Sequence, residues 1–433
     1  MKVFLDVIGC RLNQSEVEGF ANQFRALGHE IVSSPSEADL AIVNTCTVTG
    51  KAAADSRKKL RRASREGAGR VVATGCWATL EPETALNLPG VMQVIANADK
   101  EALVAILLNK SREEFSSSKY HRVPLPGDRA RTRAFIKVQE GCDNHCTYCL
   151  ARVARGKSRS MELSEVRKDI QAALQGGAIE IVLTGVQLGG WGRDFVQPLG
   201  LKDLIGHLLE LPGIMRLRLS SIEPWDFDLS MLSLWQDRRL CRQLHIPLQS
   251  GSDRILKRMG RPISVQEYQD LLEEVRFRIP DVAITTDIIT GFPGETEADF
   301  QDTVDVINKM AYAGGHVFTY SPRLGTAAYQ MVDRVPAQLA KERNTILRDL
   351  FTSSGKRYRE SFFGRHLKVL WETSQQQEGG NYKLSGLTDN YIRVFSEAET
   401  DLWNRISTVN LDTHSPDEGG VFGHIVYGKA HRM

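Results

Sequence analysis

Six of the seven cysteines in this 433-residue chain fall into two groups with different spacing. One group forms a compact Cys-x3-Cys-x2-Cys loop, made by Cys142, Cys146 and Cys149. The other group is spread through the first 76 residues and consists of Cys10, Cys46 and Cys76. The N-terminus lacks the apolar segment of a signal peptide, so secretion is not expected. An odd number of cysteines in such a chain indicates metal ligation or redox chemistry rather than a disulfide framework, and the remaining Cys241 is predicted to be structural.

The compact loop offers three thiolates, which are ligands of iron–sulfur clusters and of zinc. Three thiolates would bind three irons of a cubane cluster and leave the fourth iron without a protein ligand. A zinc ion would need a fourth ligand, and only His145 is close, at a spacing that competes with the loop itself. The spacing favours a cluster and leaves zinc open.

The three spread cysteines each follow a predicted strand. The strand-like segments of residues 1–110 are Lys2–Gly9, Leu40–Thr45, Arg70–Gly75 and Val91–Ala96. Between them, Gln14–Leu27 and Ala52–Arg65 have polar and apolar residues at the spacing of a helix. This alternation predicts a mostly parallel sheet covered by helices, in which ligands bind at the carboxyl edge of the strands. The three thiols would meet at that edge as a shared metal site, or each would be a small buried apolar side chain.

Repeated strand–loop–helix units follow from residue 134 onward. Six candidate strands are Ala134–Gln139, Ile179–Thr184, Arg216–Ser220, Leu244–Pro247, Ala283–Thr290 and Gly315–Thr319. They predict a partial or complete β/α barrel whose chemistry lies at the carboxyl ends of the strands. Polar or glycine-rich motifs do follow these strands.

Short strands separated by Gly, Asn and Asp end the chain and predict a small β-barrel. These strands are Leu367–Glu372, Lys383–Gly386, Tyr391–Ser396, Ile406–Leu411 and Gly423–Gly428. The predicted organisation is therefore an α/β chain with a parallel-sheet domain over 1–110, a Ser-, Pro- and Arg-containing linker over 111–133, a β/α barrel over 134–360 and a β-barrel over 361–433.

Composition describes an ordinary globular chain, with 42% hydrophobic and 25% charged residues. No apolar run is long enough to span a bilayer, so a cytoplasmic protein without a membrane partner is expected. The formal net charge is only +2, so any nucleic-acid site must be local.

Two segments are locally basic: 51–70, and the loop after Cys149 with Arg152, Arg155, Lys157 and Arg159. Arg152, Arg155 and Arg159 are predicted to steer RNA, although a charge run is also typical of a solvated helix face. From Ser361 onward, the chain has seven Lys and Arg residues and nine Asp and Glu residues, so the C-terminal barrel is slightly acidic.

Several long motifs in order resemble one known family. They are Gly9–Asn13, Asn44–Cys46, Thr74–Cys76, the Cys142 loop with an aromatic residue before its last cysteine, His245–Ser252 and Asp287–Thr296. This arrangement is similar to the methylthiotransferases among the radical S-adenosylmethionine enzymes, over essentially the whole chain. Further segments resemble the threonylcarbamoyladenosine tRNA branch, namely Ser220–Pro224, His316–Ser321 with Gly325–Ala328, and Leu387–Tyr391.

The resemblance implies a radical SAM core, a C-terminal TRAM barrel, two [4Fe-4S] clusters and S-adenosyl-L-methionine. The cluster on Cys142, Cys146 and Cys149 would reductively split S-adenosylmethionine to a 5′-deoxyadenosyl radical. That radical would take the hydrogen from C2 of N6-threonylcarbamoyladenosine beside the anticodon. The cluster on Cys10, Cys46 and Cys76 would hold the sulfur, and a second S-adenosylmethionine would supply the methyl group. The cofactors would carry the chemistry that side chains cannot perform.

Gln187, Ser220, Glu223 and Gln249 are predicted contacts of the cofactor or substrate, with turn and strand-cap roles as the alternative. Gln187 stands where this branch more often has Asn, and Thr319 where it often has Pro. The expected partners are the tRNA anticodon stem-loop and an electron donor such as flavodoxin or ferredoxin, and neither DNA nor a membrane. The alternatives left open are isopentenyladenosine in tRNA or a ribosomal protein as substrate, or a zinc-stabilised RNA-binding protein.

Overall fold

A computed structural model of the chain describes residues 1–110, 132–415 and 419–427. These residues group into two compact units. The first unit comprises 1–110, 134–204 and 321–329, and the second comprises 132–133, 205–320, 330–415 and 419–427. All but two residues of the predicted linker over 111–133 lie outside the described residues. The predicted domain boundaries stay predictions.

The first unit opens with alternating strands and helices. Its N-terminal elements are β1 (Lys2–Val7), α1 (Arg11–Ala26), β2 (Glu30–Val32), β3 (Leu40–Thr45), α2 (Gly50–Arg65), β4 (Val71–Gly75), α3 (Cys76–Leu80), α4 (Pro82–Leu86), β5 (Val91–Ile95) and α5 (Leu103–Leu108). Its later elements are β6 (Arg133–Lys137), whose first residue belongs to the second unit, β7 (Gln139–Glu140), α6 (Ala151–Arg155), β8 (Arg159–Ser160), α7 (Leu163–Gln175) and β9 (Glu180–Thr184). The chain passes into the second unit within α8 (Leu201–Leu209).

Strands β1 to β5 form a parallel sheet in the order β2-β1-β3-β4-β5, which confirms the predicted N-terminal fold. All six residues of β3 are buried, as expected for a central strand covered on both faces. Alternate residues enter different cores: Leu40 and Ile42 pack in the cluster that contains Phe24 of α1, whereas Ala41 and Val43 pack in the cluster that contains Leu60 of α2. Because successive side chains of β3 point to opposite faces of the sheet, helices pack on both sides of it.

The second unit contains the remaining barrel strands and a long helix. Its first elements are β10 (Arg216–Leu219), β11 (Gln243–His245), α9 (Asp253–Met259), α10 (Val265–Arg278), β12 (Ala283–Thr290), α11 (Glu297–Met310), β13 (Gly314–Thr319) and α12 (Ala337–Glu360). Strands β11, β12 and β13 form a parallel sheet. The six predicted strands of the β/α barrel are thus present as β6, β9, β10, β11, β12 and β13. Capping boxes begin α10, at Ser264 with Glu267, and α11, at Thr296 with Asp299.

The C-terminal segment of the second unit is the predicted small β-barrel. Five strands close it in the order β14-β15-β16-β18-β17: β14 (His366–Gln376), β15 (Tyr382–Thr388), β16 (Arg393–Ala398), β17 (Ile406–His414) and β18 (Val421–Ile425). Val369, Trp371, Val394 and Leu411 fill its core. Closure pairs the sheet edges, which is how a domain this small avoids exposed strand edges. Gly428, the predicted end of the last strand, lies outside the described residues.

Candidate functional site

The three spread cysteines come together at the carboxyl edge of the N-terminal sheet. We call this region, which contains Cys10, Cys46 and Cys76, the three-cysteine edge. Cys10, Cys46 and Cys76 follow β1, β3 and β4, which are neighbouring strands. The strand order reverses between β1 and β3, and the crevice at such a switch point is where open α/β sheets bind ligands. The placement at one edge agrees with the sequence analysis, and the ligand role of the thiols stays a prediction.

The loops that carry these cysteines are fixed by close packing and side-chain hydrogen bonds. Gly9 has a φ of +100°, and a Cβ there would lie 2.6 Å from the Sγ of Cys46, so only glycine fits between the two loops. The Nδ2 of Asn13 donates to the carbonyl of Ile8 at 2.7 Å and to that of Thr45 at 3.1 Å. One amide group therefore joins the loop before Cys10 to the loop before Cys46.

The Cys142 loop is also fixed by close packing and by backbone hydrogen bonds. Gly141 has a φ of +71°, and a Cβ there would overlap the backbone of Lys157. The backbone N–H of Asn144 donates to the Sγ of Cys142 at 3.4 Å, and that of Ala151 donates to the Sγ of Cys149 at 3.3 Å. Hydrogen bonds to the ligand sulfurs are one way in which proteins tune iron–sulfur clusters, so this loop fits such a group.

Two glutamines hold the Cys142 loop in place through hydrogen bonds. The Oε1 of Gln187 accepts the backbone N–H of Asp143 at 3.0 Å, and the backbone N–H of Gln187 donates to the Oε1 of Gln139 at 2.8 Å. The Nε2 of Gln139 donates to the carbonyl of Gly141 at 2.9 Å. Gln187 thus supports the loop, and its predicted cofactor contact stays a prediction. No motif pointed to Gln139, which ends a predicted strand.

Helix α6 begins two residues after Cys149 and links the loop to the three-cysteine edge. Its Arg155 has a side chain that is only 3% exposed. The Nε of Arg155 donates to the Sγ of Cys76 at 3.3 Å, and its Nη2 donates to the Oδ1 of Asn13 at 2.6 Å. The Nδ2 of Asn97 donates to the carbonyl of Ala154 at 2.7 Å. The three hydrogen bonds hold α6 against Cys76, against the start of α1 and against the segment that follows β5.

Arg155 belongs to a buried charge network of five side chains, which we define as Glu16, Lys100, Lys137, Glu140 and Arg155. The Nη1 of Arg155 lies 2.8 Å from Glu16 and 2.7 Å from Glu140. Lys100 pairs with Glu16 at 2.9 Å, and Lys137 pairs with Glu140 at 2.9 Å. Three cations and two anions are thus enclosed beside the three thiols.

The pKa values in this network follow from burial and pairing. Burial alone would raise the pKa of Glu16, but Lys100 and Arg155 outweigh it and lower that pKa far below its usual range. Burial lowers the pKa of Lys100, although Glu16 opposes the change. Burial raises the pKa of the Cys46 thiol to about 11. A buried thiol of this kind is ionised by binding a metal rather than by the pH of neutral water.

The three arginines predicted to steer RNA lie in different environments. Arg152 is half-buried and Arg159 is exposed; the Nη1 of Arg152 lies 2.7 Å from the Nε2 of His145, and the Nη2 of Arg159 lies 2.8 Å from Glu101. Arg155 is enclosed, so its guanidinium cannot reach an RNA backbone from this position. The prediction for Arg155 is therefore corrected: it forms internal contacts, which a count of basic residues along the loop does not reveal.

One further arginine near the three thiols was not singled out by sequence reasoning. The Nε and Nη2 of Arg323 are buried and have no hydrogen-bond partner among the described residues. Burial lowers the pKa of Arg323, whereas the nearby Glu81 and Cys46 oppose the change. Its signal in the sequence was its position in the polar motif that follows β13.

The other predicted cofactor contacts lie in the second unit. Ser220 is buried, and its Oγ has no hydrogen-bond partner within the described part of the chain. Glu223 pairs with the buried Arg261 at 2.7 Å. Gln249 has a φ of +79° and exchanges backbone hydrogen bonds with β12, through Asp287 and Ile289. The Oγ of Ser220 is thus available to a ligand, as far as the described residues show. The predicted contacts of Ser220, Glu223 and Gln249 with the cofactor or substrate stay predictions.

The donor sets fit clusters better than a single zinc ion. A structural zinc ion needs four donors that converge on one point. Each of the two sites offers three cysteines, one fewer than a structural zinc ion needs. A cluster has a less strict requirement, because each thiolate binds a different iron, and none of the six cysteines is in a disulfide bond.

Two family models match different parts of the chain. Residues 136–307 match the family described as the radical SAM superfamily. Residues 2–97 match a family described as the uncharacterized protein family UPF0004. The two matches include the Cys142 loop and the three-cysteine edge, respectively.

Full-length relatives carry methylthiotransferase names. The chain is 34% identical to the threonylcarbamoyladenosine tRNA methylthiotransferase MtaB of Bacillus subtilis, over 98% of this chain and 97% of that protein. It is 38% identical to the MtaB of Thermotoga maritima, over 92% and 91%. It is 31% identical to the tRNA-2-methylthio-N(6)-dimethylallyladenosine synthase of Clostridium tetani, over 89% and 88%. The chain therefore belongs to the methylthiotransferase family of radical SAM enzymes.

Solved structures share the fold at low sequence identity. The radical S-adenosylmethionine methyltransferase TsrM from Kitasatospora setae superposes with a TM-score of 0.56 at 15% identity, over 73% of this chain and 72% of that one. This likeness supports the predicted α/β architecture of the radical SAM core.

Proposed function

We propose that this chain methylthiolates C2 of N6-threonylcarbamoyladenosine next to the anticodon of tRNA. The observation that carries the proposal is the pair of three-cysteine sites in one unit, joined through α6, in a chain whose full-length relatives bear this activity in their names. Methylthiolation inserts sulfur at an unactivated C–H position and adds a methyl group. Two adjacent sites, one for hydrogen abstraction and one for sulfur, match that requirement.

The cofactors in this proposal are two [4Fe-4S] clusters and S-adenosyl-L-methionine. Cys142, Cys146 and Cys149 would hold one cluster, and the thiols at the three-cysteine edge would hold the other. When bound, these groups supply one-electron chemistry, the sulfur and the methyl group. The chain supplies the geometry: Gly9 and Asn13 set the loops at the edge, and the backbone N–H groups of the compact loop support its sulfurs.

Arg323 is the side chain we propose for binding an anionic group of the substrate. Its Nε and Nη2 atoms are buried and form no hydrogen bond with a described residue. Leaving buried donors without an acceptor costs free energy of folding. A carboxylate or phosphate accepts two parallel bonds from a guanidinium. The threonylcarbamoyl group carries a carboxylate, which the isopentenyl group lacks, so Arg323 favours the first substrate when the anion that it binds is on the modified base.

The proposed macromolecular partner is the anticodon stem-loop of tRNA. Helix α2 has an exposed basic face that includes Lys51, Lys58, Arg61 and Arg65, which suits a phosphate backbone. Arg152 and Arg159 remain proposed RNA contacts. A low-potential donor such as flavodoxin or ferredoxin and a cytoplasmic location complete the proposal. In the described part of the chain, no helix is sufficiently long and apolar to cross a bilayer.

Complementation tests the proposal and separates the substrates. A bacterial strain that lacks its own threonylcarbamoyladenosine methylthiotransferase would receive the wild-type gene, and its tRNA nucleosides would be measured by mass spectrometry. Appearance of the methylthio form of threonylcarbamoyladenosine supports the proposal. Its absence, with methylthiolation found on isopentenyladenosine or a ribosomal protein instead, contradicts it. Cys241→Ala is the matched control, because it removes a cysteine outside both sites.

Metal analysis separates the enzyme from a zinc-stabilised RNA-binding protein. Protein purified without oxygen should contain about eight irons per chain, since each cubane cluster holds about four. Zinc without iron would support the binding protein and contradict the enzyme.

A further inference from the structure

Arg155 contacts the three-cysteine edge from the helix that follows the Cys142 loop. Its Nε donates to the Sγ of Cys76 at 3.3 Å. This contact joins residues that are 79 positions apart in the sequence. The same guanidinium therefore touches a proposed ligand of one cluster and lies one short helix away from the ligands of the other.

The guanidinium of Arg155 is held in a single orientation. Its Nη1 is bound by Glu16 at 2.8 Å and by Glu140 at 2.7 Å, and its Nη2 is bound by Asn13 at 2.6 Å. Because a guanidinium is planar and its donors form a fixed fork, these three partners also fix the direction of the Nε–H bond. The hydrogen bond to Cys76 is thus imposed by the surrounding network.

The charge of the network favours an anionic sulfur at this position. The network encloses three cations and two anions, and its side chains are at most 13% exposed. At its rim, the part-exposed Glu101 lies 3.7 Å from Lys137, and the exposed Arg159 lies 3.6 Å from Glu140. The excess of one positive charge is therefore the same with or without this anion and cation. An unbalanced buried charge is strongly unfavourable. A thiolate at Cys76 supplies the missing negative charge next to Arg155.

We propose that Arg155 is a positioning residue that holds the Cys76 thiolate by an N–H···S hydrogen bond and makes the cluster at the three-cysteine edge easier to reduce. The inference rests on the proposed function, which supplies the cluster. Hydrogen bonds and positive charge at a ligand sulfur stabilise the reduced, more negative cluster. In the reduction, one electron passes from a low-potential donor to the cluster, and no bond or proton is exchanged.

A redox titration tests this inference. The background would be the Cys142→Ala/Cys146→Ala/Cys149→Ala chain, so that the cluster at the three-cysteine edge is titrated alone, with dithionite and electron paramagnetic resonance. Arg155→Gln should lower the ratio of reduced to oxidised cluster at a fixed potential by at least about tenfold, or about 59 mV for one electron. Arg155→Lys keeps the positive charge but loses the planar guanidinium with its fixed set of donors. The reduction potential of this variant should therefore shift in the same direction but by a smaller amount. Arg62→Gln, which changes an exposed arginine of the same unit, should leave the potential unchanged.

Each outcome supports or overturns the inference. A wild-type potential in Arg155→Gln with full iron content overturns it. If Arg155→Gln binds no iron, a lowered potential in Arg155→Lys supports it and an unchanged one overturns it. If both variants lack iron while Arg62→Gln holds it, Arg155 serves assembly alone and the tuning role is wrong. If the background itself binds no iron, the proposed cluster at this edge fails, and the inference fails with it.

Discussion

Replacement of Glu16 by glutamine should destabilise the first unit by about 3–5 kcal/mol, the usual loss when one partner of a buried ion pair is removed. The Glu16 side chain is 2% exposed and lies 2.9 Å from Lys100 and 2.8 Å from Arg155. Glutamine has nearly the same size, so no cavity forms. The change leaves the three buried cations with the carboxylate of Glu140 and, at the rim, that of Glu101. Among the described residues, it removes the only carboxylate within ion-pair distance of Lys100. This loss of a buried partner is the source of the expected destabilisation.

Hydrogen exchange is the suitable assay, because a chain with two units need not unfold in one transition. The slowest amides of β3 and β4 report on opening of the first unit. A loss of 3–5 kcal/mol corresponds to an increase of about 100-fold to several thousandfold in their exchange rates, since about 1.4 kcal/mol is a factor of ten. Glu66→Gln, in the exposed pair with Arg62, is the control and should hardly change these rates.

The reasoning would be refuted by a Glu16→Gln protein whose β3 and β4 amides exchange as slowly as those of the wild type. That result would mean that the buried charge network can lose an anion without cost. Equal acceleration in Glu66→Gln would refute it in another way, because the effect would then not depend on burial.

Three further predictions concern other residues. Gly9→Ala should reduce the iron content from about eight to about four per chain, because its Cβ would collide with Cys46 and disturb one site only; unchanged iron would contradict the assigned role of Gly9. Asp299→Asn should flatten the acid dependence of stability of the second unit, measured by unfolding from about pH 6 down to about pH 2, a range that includes the pH values at which a carboxyl with a lowered pKa loses its stabilisation. Burial would raise the pKa of Asp299, but Arg254 and the α11 cap lower it well below normal, so its stabilisation is present above the unfolded pKa of about 3.9 and is lost as the pH falls further. An equally steep profile in the variant would disprove that role. Arg323→Gln should weaken turnover of threonylcarbamoyladenosine tRNA about 10-fold or more in kcat/KM, as expected when a charged hydrogen bond is lost; equal kinetics would exclude an anion contact.

The sequence could predict the edge at which the spread cysteines meet, because strand–helix alternation implies a parallel sheet whose carboxyl ends share one side. The short strand Glu30–Val32 was not predicted, since three residues give no usable periodicity.

The role of Arg155 could not be predicted, because its carboxylate partner Glu16 lies 139 positions away. Along the chain, Arg155 is one basic residue among several after the Cys142 loop, which suggests a surface that binds RNA. Only the fold shows that α6 turns this side chain inward. The bracing of the loop by Gln187 and Gln139 escaped prediction for the same reason, since it depends on contacts between separate strand ends.

The most direct test of the account is an anaerobic reaction of the purified, cluster-loaded protein with S-adenosylmethionine, a reductant and tRNA that carries N6-threonylcarbamoyladenosine, followed by mass spectrometry of the nucleosides. The account predicts the methylthio nucleoside with the wild type and with Cys241→Ala. It predicts none with Cys142→Ala or Cys46→Ala, although both should still bind the tRNA. Product from either of these two variants, or no product from a wild type that holds both clusters, would contradict the account.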